Sequence, residues 1–297
     1  MTPIPRWLGV ALLVAIATSF GSNHVAARVA FDHGASVASA VVFRSIGTAL
    51  AVLALLSALR VPIAPPMPTL RRALAIGVVL AVQSYCLYSA VARLPVAIAL
   101  LVFNTYPMLY ALATWAAGME RRPPMRALAA MPIALFGLAL ALDVVGGVEK
   151  LSRRWTEIGA GVLFATAASL AFAMVLFLGG RWMHGVDGRL RSCLSMASCG
   201  ALALVGALAS GTLILPADAT GWFGLGLLTL FYGSSITGLF ILQPRMRSAS
   251  DTAVLNFEPV AVLFLGWAIL GQNLAPSQLA GAAVVICCIV AIATAKR

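Results

Sequence analysis

The stretch VFNTYPMLYALATWAAGMERRPP, Val102 to Pro124, returns without a gap 152 positions later as VLNFEPVAVLFLGWAILGQNLAP, Val254 to Pro276. Asn104 pairs with Asn256, Pro107 with Pro259, Trp115 with Trp267 and Pro124 with Pro276. Val and Ala also match, but this chain is rich in both. Asn, Trp and Pro are scarce, so the spacing N-x2-P-x7-W-x8-P occurring twice marks a tandem duplication.

The rest of the chain is a medium for that repeat. Its 297 residues are 62% apolar and 10% charged, and the mean hydropathy is +1.00. A soluble domain has too little interior for so much apolar surface, whereas a bilayer covers it. A spanning helix takes about 20 apolar residues. Ten such runs are read, at roughly 7–28, 36–59, 70–92, 96–118, 126–145, 156–180, 190–211, 219–242, 250–271 and 276–295. They are too long for strands and show no period-2 polar face, which argues against a barrel. Arg6 ahead of an apolar run imitates a signal peptide. The run has no small-x-small cleavage site, so it is read as the first span.

Lys and Arg set the expected orientation. With the N-terminus in the cytoplasm, the inner loops carry 14 of the 20 basic residues; the outer loops carry Arg28, Arg93, Lys150, Arg153 and Arg154. The bias predicts both termini inside. The net charge of +11 is spread singly or in pairs over short loops with no aromatic platform, so no nucleic-acid partner is expected. The five cysteines fall in spans and read as small packing residues.

The segment GGVEKLSRR, Gly146 to Arg154, divides residues 1–148 from 149–297, each with five spans. Arg6-Trp7 is echoed by Arg154-Trp155 and Ala17-Thr18 by Ala165-Thr166, at an offset of 148. An odd number of spans sends the second copy in from the opposite side. The expected fold is all-α and polytopic: ten transmembrane helices, as two inverted five-helix repeats around a central cavity. That construction is typical of alternating-access transporters.

Polar groups within lipid are costly and usually face a bundle interior or a wet cavity. In span 1, Ser19, Ser22 and Asn23 share a face; cavity lining and helix–helix adhesion both fit them. In span 3, Ser84, Tyr85 and Tyr88 form a stripe, with the tyrosines deeper than the interfacial belt. In span 4, Asn104, Met108 and Trp115 align. Pro107 and Pro259 each remove a backbone donor, predicting kinks with free carbonyls near residues 103 and 255. Tyr232 is the candidate cavity aromatic of span 8. Glu258 is the one acid read deep in a span and Arg44 the one base. Asn256 and Glu258, two residues apart, are expected on nearly opposite helix faces. No HExxH, GxSxG, P-loop or paired-carboxylate motif occurs. A non-enzyme with no cofactor and no metal is therefore expected.

In these residues the chain resembles the drug/metabolite transporter superfamily, in its ten-span EamA-type branch. FGSNHVAARVA, Phe20 to Ala30, is similar to the WGSNF-type motif, with Phe20 in place of Trp and His24 in place of an aromatic. Arg44 matches the arginine of span 2, and Asn104 to Pro107 with the following GMERRPP match the proline and "GE" turn of span 4. Asn256 to Pro259 and Leu270-Gly271-Gln272 match the second-half version, except that Gln272 replaces Glu. The resemblance implies a basket-like bundle whose cavity is formed by spans 1, 3, 4, 6, 8 and 9, and export of small metabolites. Among such proteins the chain is similar to aromatic amino-acid exporters of the YddG type.

The expected function is export of amino acids, aromatic or large apolar ones preferred, by a multi-pass protein of a bacterial-type inner membrane. The expected partners are the lipid bilayer and a small-molecule substrate, and a monomer is expected. Asn104, Asn256 and nearby hydroxyls would hold the amino and carboxyl groups; Tyr85, Tyr88, Tyr232 and Trp115 would hold the side chain. A cationic-drug exporter using Glu258 is an alternative. A nucleotide-sugar carrier is another, although it calls for more cavity Lys or Arg than Arg44. A lipid-modifying enzyme or a membrane scaffold stands outside the transport class.

Overall fold

A computed structural model describes residues 5–91, 93–94, 96–120, 125–143, 155–246, 248–270 and 274–294, all helix, turn or loop with no strand among them. The helices are α1 (Arg6–Asp32), α2 (Val37–Ala58), α3 (Met67–Val91), α4 (Val96–Phe103), α5 (Tyr106–Ala116) and α6 (Met125–Ala141). After residues 144–154 come α7 (Trp155–Trp182), α8 (Gly188–Ala209) and α9 (Ala219–Leu242). A 3-10 helix, Ala249–Phe257, then runs into α10 (Glu258–Leu270), and α11 (Pro276–Thr294) ends the described chain.

Seven of these segments are long and apolar enough to cross a membrane, counting Ile98–Ala116 as one. Leu128–Ala141 and Pro276–Ala291 are apolar but shorter. With the composite span of the 3-10 helix and α10 they make ten. Spans 4 and 9 differ from the continuous α-helices expected: span 4 is interrupted by a turn at Asn104–Thr105, and span 9 changes from a 3-10 helix to an α-helix between Phe257 and Glu258. The boundary between residues 148 and 149 lies outside the described residues, as does Gln272.

The chain divides into two compact units. The first holds residues 19–82 and 178–245. There, α2 and α8, the second spans of the two halves, pack antiparallel. Ser45 Oγ donates to Cys199 Sγ at 3.5 Å, Cys193 Sγ donates to the Ala49 carbonyl at 3.4 Å, and Leu56 clusters with Leu190. Later residues of α2 thus meet earlier residues of α8. α9 crosses α2 at small residues: a Cβ on Gly47 would lie 2.6 Å from Thr229, and one on Gly233 would lie 2.5 Å from Thr48 Oγ1. Close approach through small residues is how helices associate where lipid removes the hydrophobic drive.

The second unit holds residues 5–18, 83–177 and 246–294 as far as they are described. Here α6 packs on α11 and α5 packs on the 3-10 helix, so spans 5 and 4 meet their own counterparts, 10 and 9. The α6–α11 contact is reciprocal. A Cβ on Gly281 would sit 2.5 Å from the Gly137 carbonyl oxygen, and a Cβ on Gly137 would sit 3.0 Å from that of Gly281. Each glycine is the other's backbone contact, as a two-fold relation requires.

Loop contacts fix the parity of the crossings. In the first unit His33 Nδ1 lies 2.7 Å from Asp218 Oδ2, and Ser36 Oγ donates to the Thr212 carbonyl at 2.7 Å. The connections after spans 1 and 7 therefore share a side. In the second unit the Glu120 carboxylate meets Ser248, and Gln278 Nε2 donates to the Ala141 carbonyl at 3.4 Å. Each pair is separated by an even number of spans, so a single miscounted span would break the contact.

Helix ends follow capping chemistry. Ser36, Asp187 and Asp218 accept the backbone N–H of Ser39, Arg189 and Gly221. α5 ends at Gly118, whose φ of +67° suits the residue without a Cβ; Met119 N–H then reaches back to the Thr114 carbonyl at 3.0 Å.

Two expectations follow. Gly281→Ala or Gly137→Ala should overpack the α6–α11 seam by about 1–3 kcal/mol and lower the thermal unfolding midpoint in detergent. Gly226→Ala, with open space around it, should not. At the other cap, the Arg189 side chain hydrogen-bonded to Asp187 holds its carboxyl below the usual range near 3.8. A depressed folded-state value means this stabilisation is present above the unfolded value and is lost as pH falls through the folded one. Asp187→Asn, which still caps, should flatten that acid limb in unfolding measured across pH.

Candidate functional site: paired helix breaks

The site-forming chemistry lies where spans 4 and 9 are interrupted. In span 4 the last α-helical bonds run out at Phe103. Asn104 N–H reaches the Leu100 carbonyl at 2.9 Å, Thr105 N–H turns to Val102 at 3.2 Å, and Met108 N–H goes to Thr105 at 3.1 Å. Pro107 has no N–H for the Phe103 carbonyl. The Asn104 side chain sits in this break, 1% exposed. Its amide nitrogen donates to the Leu100 carbonyl at 2.8 Å, which leaves Oδ1 as the acceptor end, and that oxygen is buried without a hydrogen-bond partner. Thr105 Oγ1 donates to the Val102 carbonyl at 2.7 Å and lies 2.8 Å from Ser169 Oγ.

Span 9 solves the same loss differently. Pro259 cannot donate to Leu255, and the Glu258 N–H takes that carbonyl instead, one residue earlier than an α-helix would. The whole segment before it is 3-10. A carbonyl read as free near residue 255 is thus satisfied, and only the first copy leaves one unclaimed by its proline. Asn256 and Glu258 are both buried, at 2% and 8% exposure. Asn256 Oδ1, like Asn104 Oδ1, is buried without a partner.

The two breaks meet. α5, which begins at Tyr106, packs on the 3-10 helix. Tyr106 and Glu258 occupy the same position of the two copies, 152 residues apart. Tyr106 is buried, its ring 4.7 Å from that of Phe172 and 5.3 Å from that of Phe103.

Glu120, from the turn closing span 4, caps the start of span 9. Its carboxylate accepts the Ser248 hydroxyl at 2.9 Å and the Ala249 N–H at 3.0 Å. Ser248 and Asp251 close a capping box on the same turn. Nothing in the local sequence indicated this reach across 128 positions.

The remaining candidates divide between the units. In the second, Ser84 is buried with its hydroxyl 3.4 Å from Gln83 Oε1, Tyr88 and Met108 are half-buried, and Trp115 is 43% exposed. Tyr85 is 70% exposed, in line with Leu74, Val78 and Val82 along one exposed stripe of α3. In the first unit Ser19 Oγ donates to the Phe231 carbonyl at 3.0 Å, Ser22 is half-buried, and Asn23 is buried with Oδ1 unpartnered. Tyr232 is buried edge-on to Phe20, and the Arg44 guanidinium lies 4.0 Å from the centre of its ring. Desolvated stacking of this kind contributes about 2 kcal/mol. Arg44 is not the only buried base: Arg191, counted among the loop charges, stacks 3.9 Å above Phe240 and donates to Gln243 Oε1 at 2.7 Å.

Comparison with known proteins fits this frame. Residues 159–294 match the EamA-like transporter family. That match lies within the second half, and it is to a family of transporters. No curated protein matches. Among solved structures, a crystal structure of a protein superposes with a TM-score of 0.79 at 18% identity, covering 98% of each chain. At that identity the likeness concerns the fold, which this protein shares along nearly its whole length.

Removing the Glu120 carboxylate should leave the Ser248 hydroxyl and Ala249 N–H without their acceptor, at about 1–3 kcal/mol. Glu120→Ala is expected to speed amide hydrogen exchange across residues 248–257. Glu120→Gln, which keeps one acceptor oxygen, should lie between it and the parent.

Proposed function

We propose that this protein is a membrane transporter of small metabolites, moving amino acids with aromatic or large apolar side chains by alternating access between inverted repeats, residues 1–148 and 149–297. The observation that carries this reading is the pair of irregular spans at matched positions, one interrupted by a turn and one wound as a 3-10 helix, each with a buried asparagine whose acceptor oxygen has no partner. A buried unsatisfied oxygen is costly and is kept where a ligand supplies the missing donor. Discontinuous helices near the midplane are where secondary transporters build substrate sites. The EamA-like match of the second half and the absence of a catalytic motif in the sequence favour transport over catalysis.

In this reading Asn104 and Asn256 contact the polar end of the amino acid, with Glu258 and Tyr106 between them. Met108, Trp115, Tyr85 and Tyr88 bear on its side chain, with Ser84 beside them in the same unit. The basic bias of the loops supports cytoplasmic termini and an inner-membrane location, hence export.

Purified protein in liposomes should move labelled phenylalanine, tryptophan or methionine. Asn104→Ala and Asn256→Ala should each reduce the flux about tenfold or more, the loss of one hydrogen bond to a charged group, without loss of monodisperse protein. Absence of flux for every amino acid, with the protein folded, overturns the reading.

A further inference from the structure

The first unit carries its positive charge at one end. The α2–α3 connection, the first turns of α3, the end of α7, the start of α8 and the end of α9 share that end, since each connection reverses the chain. Val61 and Val186, from the α2–α3 and α7–α8 connections, pack on the same Leu56–Leu190 cluster. Six arginines lie there, Arg60, Arg71, Arg72, Arg181, Arg189 and Arg245. They stand against one acid, Asp187, whose carboxylate is held by Arg189 at 2.6 Å. At the opposite end of the same unit Arg28 stands with Asp32 and Asp218.

Three of the six gather at one contact. Arg72 Nη1 donates to the Trp182 carbonyl at 3.4 Å, which ties the start of α3 to the end of α7. Arg71 precedes Arg72 and Arg181 precedes Trp182, so three guanidinium groups stem from residues at or next to that bond. All three arginines are exposed, and Trp182 is half-buried. α3 has 25 residues, about 37 Å at 1.5 Å per residue, against a hydrocarbon core of about 30 Å. Its first turns therefore stand in the headgroup layer, where an amphipathic Trp ring also belongs. Met67 and Ile63, 58% and 37% exposed, add apolar surface at the same end.

We propose that this end of the first unit binds the phosphate of an anionic phospholipid, held by Arg72 and Arg181 with Arg71 beside them. A face that only needs water scatters its cations; here a hydrogen bond between two helices draws three to one spot. Arginine's planar fork takes two phosphate oxygens at once. One donor of Arg72 is engaged by Trp182, which fixes its position, and the guanidinium has five. Anionic lipid is the occupant because the patch lies at headgroup depth, has an excess of positive charge and has apolar surface beside it for acyl chains. The inference does not depend on which substrate the protein moves.

The test uses the full chain in detergent. Phosphatidylglycerol and phosphatidylcholine with identical acyl chains are titrated separately, and bound lipid is counted by native mass spectrometry. Phosphatidylglycerol is expected to bind about tenfold or more tightly, and Arg72→Gln with Arg181→Gln to remove that preference, the loss of hydrogen bonds to a charged group. Arg28→Gln, at the opposite end, should retain it. Equal binding of the two lipids by the parent overturns the proposal. So does an equal loss in Arg28→Gln, which would mean that net charge alone attracts the lipid. Displacement of phosphatidylglycerol by excess inorganic phosphate at constant ionic strength would assign the arginines to a free anion and overturn the lipid site. If the double Gln variant is not monodisperse, Arg72→Lys with Arg181→Lys takes its place and should lose the preference at least a few-fold, since it keeps charge without the fork. No loss in the variant measured also overturns the proposal.

Discussion

Inside a bilayer a backbone carbonyl that loses its N–H partner has no water to turn to. Pro107 and Pro259 impose that loss twice, at matched positions, and the second unit is arranged around the two answers. Ahead of Pro107 the helix stops at Phe103, a two-residue turn intervenes, and Asn104 folds its amide back onto Leu100. Before Pro259 the chain winds tighter, and the Glu258 N–H stands in for the missing donor. A long 3-10 run is uncommon because its hydrogen bonds are poorer. It persists here because its first turn is held by Glu120, Ser248 and Asp251.

The symmetry of the sequence is thus broken in the structure at its centre. Glu120 serves span 9, while its counterpart in the second copy is a glutamine. Tyr106 and Glu258, at matched positions of the two copies, are also unlike. The seams farther out stay reciprocal, as with Gly137 and Gly281. Matched sequence positions with unlike backbones and unequal polar contents give the two copies chemically distinct centres.

Much of this was legible in the chain, for reasons that also mark where legibility stops. Ten spans follow from run length, and the duplication from scarce residues at fixed spacing. The breaks follow from proline, which removes a donor wherever it stands. Proline does not say how the chain compensates, so the 3-10 form of span 9 was not legible. Periodicity places Tyr85 on a stripe with Ser84 and Tyr88 but does not say what each edge of that stripe meets, and the structure separates a buried Ser84 from an exposed Tyr85. Arg191 reads as a loop cation because it lies three residues into a helix; its partners, Phe240 and Gln243, are some fifty positions away. Partners at such distances leave no local trace.

The bond from Glu120 to Ser248 also sets an order of events during synthesis. Ser248 emerges 128 residues after Glu120. At about 5–20 residues per second, the carboxylate waits roughly 6 to 26 s for its partner. The first half therefore enters the membrane with its closing turn unmatched, and span 9 winds into its final form only as a completed chain.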